Sequence, residues 1–245
     1  MTFAAPSPPA AHAEPERLDR GVPPAEAEVA LRDLERVYRL LLGGRDLRRA
    51  VFATLDDLPP GSKSPWVLDL GAGGGHVAAD LQRDAAARGR SLRVIGVDAK
   101  LSHLLAGRRF GSPQRPLVAD AMALPLRDSA VACAFSHLFF HHFDAADNRR
   151  VLAEMRRVAR AVVVVDLRHS SLLRWLVRPG LRLLRLGEVA YADGVVSVER
   201  SYRLREVAAV VAGMPDATLS VRFPFRWSLV LRGAGAPAGA AAGKH

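Results

Sequence analysis

Apolar residues recur every three or four positions over 26–43 (Val29, Leu31, Leu34, Val37, Tyr38, Leu41, Leu42). That spacing predicts an amphipathic helix, which Gly43-Gly44 ends. A second helix is predicted over about 46–57, through Leu47, Val51, Phe52 and Leu55. Past Pro59-Pro60-Gly61 the period changes. Short apolar runs at 66–70, at 92–97, from 117, at 130–135 and at 161–165 read as strands, with helices between them at 76–88, 100–109 and 145–159. Strands alternating with helices predict a parallel sheet with right-handed crossovers. The valine run at 162–165 suits a strand covered on both faces. Beyond 168 the pattern differs again. Residues 171–187 read as an amphipathic helix broken at Pro179-Gly180, and 203–212 as another helix. The runs 218–223 and 227–231 are close enough to form an antiparallel hairpin at one sheet edge.

The ends lack any such period. Residues 1–25 are rich in Ala, Pro and Glu and are expected to be a disordered arm; 233–245, Gly/Ala-rich, are expected to be a flexible tail. The expected folded unit is therefore one domain, 26–232. Within it, 26–60 form N-terminal helices and 168–202 a lid over the substrate. No basic start followed by an apolar core is seen, and no apolar run reaches a membrane span, so a cytoplasmic location is expected. Of 245 residues, 35 are Lys or Arg against 25 Asp or Glu, a net +10. Only three of the 35 are lysines (Lys63, Lys100, Lys244), so the excess reads as much as an arginine-rich composition as a nucleic-acid footprint. The single cysteine, Cys133, excludes a disulfide framework and a multi-cysteine zinc cage, and no metal site is expected.

The strongest local signal is Val67-Leu-Asp69-Leu-Gly71-Ala72-Gly73-Gly-Gly75, an acid near the end of a strand followed by a glycine loop and a helix. Glycines let backbone approach a ligand closely. The spacing is not the dinucleotide Gly-x-Gly-x-x-Gly. A carboxylate beside the loop suits a cationic amino group better than a pyrophosphate, because two anions repel. Asp98 ends the second strand, where an acid reaches both hydroxyls of a ribose. Asp120 follows the third strand and can accept from an adenine amino group, with Ala99 and Met122 offering apolar faces to the ring.

Asp69-Leu-Gly-Ala-Gly-Gly-Gly75, Gly96-Val-Asp98, Ala119-Asp-Ala121 and Leu124-Pro125 together resemble the motifs of class I S-adenosylmethionine-dependent methyltransferases, in their small-molecule branch. The resemblance implies a three-layer α/β sandwich. Its Rossmann-like seven-stranded, mostly parallel sheet would have order 3-2-1-4-5-7-6 with strand 7 antiparallel. It implies S-adenosylmethionine as cofactor and S-adenosylhomocysteine as product. Gly71, Ala72, Gly73 and Gly75 would approach the methionine part, and Asp69 its amino group. Asp98 would bind the ribose and Asp120 the adenine amino group, with Ala99, Ala121, Met122, Ser136 and His137 among the residues around the cofactor. The run Ser136 to Phe143 is similar to the His-His stretch after strand four in that branch. Its members usually continue through Leu-x-Pro-Gly-Gly into strand five. Here Arg157-Val-Ala-Arg-Ala161 enters the strand directly.

His141 and His142 are the candidates for a general base, since imidazole titrates near neutrality. Tyr38, Arg39, Trp175, Tyr191 and Tyr202 are candidates to contact the acceptor. No Asn/Asp-Pro-Pro-Tyr/Phe motif follows strand four, and Cys133 lies mid-strand, so base-directed methylation is disfavoured. The expected reaction is methylation of a small hydrophobic or aromatic acceptor, on oxygen rather than carbon, by a monomer or homodimer. A non-catalytic cofactor-binding partner protein is the alternative; an RNA methyltransferase rests on charge alone. Arg174, Arg178, Arg182 and Arg185, set opposite leucines, are a candidate contact for a membrane surface or acidic partner.

Overall fold

The first apolar run becomes the central strand β1 (Trp66–Leu70), flanked by β2 (Arg93–Asp98) and β4 (Val131–His137). This computed structural model describes residues 14–40, 44–58 and 64–232. With β3 (Arg115–Val118), β5 (Ala159–Leu167), β6 (Ala217–Arg222) and β7 (Arg226–Arg232), β1 belongs to a seven-stranded sheet of order β3-β2-β1-β4-β5-β7-β6. Neighbours from β3 to β5 are parallel, and β7 runs antiparallel to both β5 and β6. The expected topology is met.

Helices cover both faces, which is why β4 and β5 are buried almost end to end. On one face α3 (Arg45–Asp56) and α4 (His76–Ala87) pack Val51, Phe52, Leu55 and Leu81 against Val67, Phe135 and Val163. On the other, α6 (Ala145–Val158) and α9 (Leu204–Val210) pack Val151, Met155 and Val207 against Leu68, Val164 and Trp227. Asp144 caps α6 by accepting from the Ala146 and Asp147 N–H groups. The helix then enters β5 with no intervening turn, as the run Arg157 to Ala161 predicts. A third cluster (Leu18, Ala27, Ala30, Leu31, Ala106, Val189, Ala190) joins α1 (Arg17–Arg20), α2 (Pro24–Leu40), α5 (Leu101–Arg109) and α8 (Glu188–Glu199).

Two expectations are corrected, and one helix is new. The arm expected to be disordered is ordered from residue 14. The Asp193 carboxylate accepts from the Arg17 and Leu18 N–H groups at 2.7 and 3.1 Å, and Leu18 and Glu16 are buried. Residues 1–13, and the C-terminal tail 233–245, lie outside the described residues. α7 (Ser171–Leu183) is not broken at Pro179. Pro179 and Trp175 lie on the exposed side of the helix, so water can satisfy the Trp175 carbonyl that loses its donor. Finally, α8 was not anticipated, because Val189, Val195, Val196 and Val198 spread apolar character around the helix and leave no stripe. Its Gly194 marks a close crossing, where an added Cβ would lie 2.8 Å from Leu181 Cδ1 on α7.

Candidate active site

The carboxyl ends of the parallel strands open into a cavity of about 490 Å³, roofed by α2 and by the ordered segment around Glu16 and Asp19. Gly71, Gly73 and Gly75 all take positive φ (+74°, +49° and +72°), conformations that a side chain disfavours. Their roles differ. A Cβ on Gly71 would meet the Phe139 ring at 2.4 Å, while one on Gly73 would have only Leu31 within reach, at 3.5 Å. One on Gly75 would collide with Ser112 and Gln114. Gly71, Ala72 and Gly73 line the cavity. Gly75 does not: it starts α4 and is closed in by packing, which corrects its expected place beside a ligand.

Asp98 is held before any ligand arrives. Its Oδ2 accepts from the Gly73 N–H at 3.0 Å and its Oδ1 from the Lys100 N–H at 2.8 Å, with His103 Nδ1 at 3.3 Å. Asp120 stands at the mouth of the cavity, its Oδ1 accepting from the Met122 N–H at 2.9 Å. Ala99 and Ala121 line the wall; Met122 does not, because the turn directs it into the neighbouring core.

Asp69 is buried behind the loop, and its Oδ2 lacks a hydrogen-bond partner. Burial first, and then the charge of Asp98, push its carboxyl up to about 8. The folded chain therefore keeps a proton that the unfolded chain releases near pH 3.8. Stability should fall as pH rises between about 4 and 8, by at most ~1.4 kcal/mol per unit. Asp69→Asn should flatten that slope in urea unfolding series at pH 5, 6, 7 and 8; an unchanged slope refutes the assignment.

At the end of β4, Ser136 is fully buried and away from the cavity, while His137 lines it. Burial, then the nearby Arg226, lowers the His137 pKa to about 3, so its ring is neutral. Leu138 follows with φ of +55°, unusual for a side-chain-bearing residue, and turns the chain toward the histidine pair. His141 is buried, with Nδ1 2.8 Å from Asp166 Oδ1 and Nε2 3.3 Å from Glu16 Oε1. His142 Nδ1 lies 2.6 Å from Asp19 Oδ2, and its Nε2 3.7 Å from Glu16 Oε2. Burial works against charge on His141, but Asp166 and Glu16 outweigh it and raise the pKa to about 10. Glu16 is held down to about 2: burial opposes, and His142, His141 and the Ser197 hydroxyl prevail.

Residues 67–161 match the family model of a methyltransferase domain. A curated relative, malonyl-(acyl-carrier protein) O-methyltransferase of Hamiltonella defensa, is 31% identical over 103 residues. That alignment covers 42% of this chain and only 37% of the relative's length. Among solved structures, a SAM-dependent methyltransferase from Aquifex aeolicus is similar with TM-score 0.54 and 17% identity, over 86% of this chain and 98% of that one. Human N-acetylserotonin methyltransferase, in complex with SAM, has TM-score 0.60 and 13% identity, over 86% of this chain and 56% of its own.

Several residues expected at the site lie elsewhere. Tyr38 does line the cavity, but its hydroxyl donates to Asp80 Oδ2 at 3.1 Å and faces Arg48, so it serves as wall. Arg39 pairs with Glu35 at the surface. Trp175 is 73% exposed on the outer side of α7, away from the cavity. Tyr191 lies under Arg182 and outside the cavity. Tyr202 is core, its hydroxyl donating to the Phe143 carbonyl at 2.7 Å. Other groups were missed: Glu16, Asp19, His103, Phe139, Asp166, Ser197 and Arg226. Asp166 was legible in principle, being a fourth acid at the end of a parallel strand. Glu16 and Asp19 carried no such signal. Arg157 fixes the loop that carries Asp120, donating to the Leu124 and Leu126 carbonyls at 2.9 and 2.7 Å while pairing with Glu154.

Proposed function

We propose that the protein transfers the methyl group of S-adenosylmethionine to a small, largely hydrophobic acceptor, on oxygen rather than carbon. The observation that carries this reading is the ordered set of acids at the ends of β1, β2 and β3: Asp98 and Asp120 line the cavity, and Asp69 lies buried behind the glycine loop. Asp98 would take the ribose hydroxyls, Asp120 the adenine amino group, and the Gly71–Gly73 backbone the methionine part. The partnerless oxygen of buried Asp69 suits a nearby ammonium. The bound cofactor supplies an activated methyl on sulfonium, so the protein's task is to align the acceptor and exclude water. Apolar Leu31, Leu34, Val37 and Phe139 fit that task. Both histidines face carboxylates, but His141 is buried with Glu16 3.3 Å from its Nε2, whereas His142 is more exposed and its Nε2 lies 3.7 Å from Glu16, which makes His142 the better-placed base for an acceptor hydroxyl.

Calorimetry with S-adenosylmethionine, S-adenosylhomocysteine and NAD should give micromolar binding for the first two only, and labelled methyl should pass to phenolic or polyketide-like acceptors. NAD binding overturns the reading. Cofactor binding without transfer to any acceptor favours the non-catalytic alternative.

We further propose that α7 rests on an anionic lipid surface. Leu172, Trp175 and Leu183 form an exposed apolar ridge beside Arg174, Arg178 and Arg182, the arrangement of an interfacial helix. No helix among the described residues is long and apolar enough to cross a membrane. The protein should co-sediment with phosphatidylglycerol vesicles, not phosphatidylcholine vesicles, and Trp175→Ser should weaken binding at least tenfold. Equal sedimentation with both vesicle types, or none, rejects the surface.

A further inference from the structure

We infer that Glu16, His141 and His142 form a binding site for a divalent transition-metal ion at the acceptor end of the cavity. The ligand atoms of these three side chains lie within 4.8 Å of one another. Both imidazoles turn Nε2 toward the same carboxylate, His141 to Oε1 at 3.3 Å and His142 to Oε2 at 3.7 Å. Metal–ligand bonds of about 2.0–2.2 Å need donor atoms about 3–3.6 Å apart, so a small inward movement closes the shell. Each imidazole also has a carboxylate of its own on the opposite nitrogen. Asp166 sits 2.8 Å from His141 Nδ1, and Asp19 2.6 Å from His142 Nδ1. A carboxylate on the far nitrogen is what fixes the tautomer and orientation of a metal-binding histidine.

The surroundings support the site. The Arg200 side chain donates to the His141 and His142 carbonyls at 3.0 and 2.5 Å, holding the short 3₁₀ turn Phe140–His142 rigid. Ser197 donates to Glu16 Oε1 at 2.5 Å and sets the carboxylate plane. Three carboxylates thus surround the two imidazoles, one of them, Glu16, as a would-be ligand and two behind the rings. All three would-be ligands line the cavity, so the open coordination positions face the acceptor and an oxygen atom there can complete the shell. Two imidazoles and one carboxylate favour zinc, iron(II), manganese or cobalt over magnesium.

The site replaces the base role proposed for His142, since one Nε2 cannot both ligate and accept a proton. It does not depend on methyl transfer, and its test needs no acceptor. The full chain, stripped with chelator, should bind one equivalent of Zn²⁺ by calorimetry. With Co²⁺ it should develop a visible d–d band that Zn²⁺ abolishes. Glu16→Gln and His142→Ala, checked for folding by circular dichroism, should each weaken Zn²⁺ at least 100-fold, and Asp19→Asn about tenfold. Flat titrations with Zn²⁺ and Co²⁺ overturn the site and leave His142 free to act as base. Binding of equal strength in wild type and all three variants overturns it too, because the metal would then sit elsewhere.

Discussion

Asp98→Ala should weaken S-adenosylmethionine binding by at least 100-fold. A carboxylate accepting from two ribose hydroxyls makes two charge-assisted hydrogen bonds, each worth about 1.5–3 kcal/mol. At about 1.4 kcal/mol per tenfold, that is roughly 10² to 10⁴ in Kd. A second loss adds to it. The same carboxylate holds the Gly73 and Lys100 N–H groups, so its removal frees the loop as well as the ribose contact. Asp98→Asn keeps the shape and one acceptor oxygen and should fall between wild type and Asp98→Ala. Calorimetry on the three proteins decides the matter. A loss under tenfold in Asp98→Ala would place the ribose elsewhere.

Asp166→Ala should destabilise the fold by about 3 kcal/mol. The carboxylate is buried and accepts from His141 Nδ1 and from the His141 and Leu167 N–H groups. Its pKa is held below the usual range: burial pushes it up, but the His141 charge and these donors outweigh burial. Deleting one partner of a buried charged pair strands the rest, and the stranded groups cost several kcal/mol. In a chain of this size that is a Tm drop of roughly 6–12 °C. Asp19→Ala supplies the contrast. Its side chain is 41% exposed, so its contact with His142 should contribute less than ~1 kcal/mol. Thermal melts of both variants under one buffer test the pair of claims. Equal losses would contradict the burial argument.

Much of the fold was legible because its signals are local. Val67–Gly75, Val94–Asp98 and Leu117–Met122 carry strand, turn and acid within a few residues, and the parallel sheet brings those strand ends together whatever surrounds them. The His141-His142 pair was legible for the same reason. Contacts across the chain were not. Trp175, Tyr191 and Tyr202 are aromatic residues in the segment expected to form a lid. Whether each faces the cavity depends on helix rotation, and α7 turns Leu181 inward and Trp175 out. Glu16 lies 125 positions before His141, in a segment whose composition reads as disorder. Its order comes from the Asp193 carboxylate, which satisfies two backbone donors on α1, and from Leu18 packing into a cluster of four helices.

The sequence by itself determined the alternation of strands and helices and the three acids around the glycine loop, since hydrophobic period and strand-end acids are read over short spans; the strand order followed only from the family resemblance that those motifs carry. Only the tertiary structure decided what surrounds the histidines. Each of His141 and His142 takes its role from carboxylates on α1, on β5 and before α1, and no local pattern encodes which distant charge a buried side chain will meet.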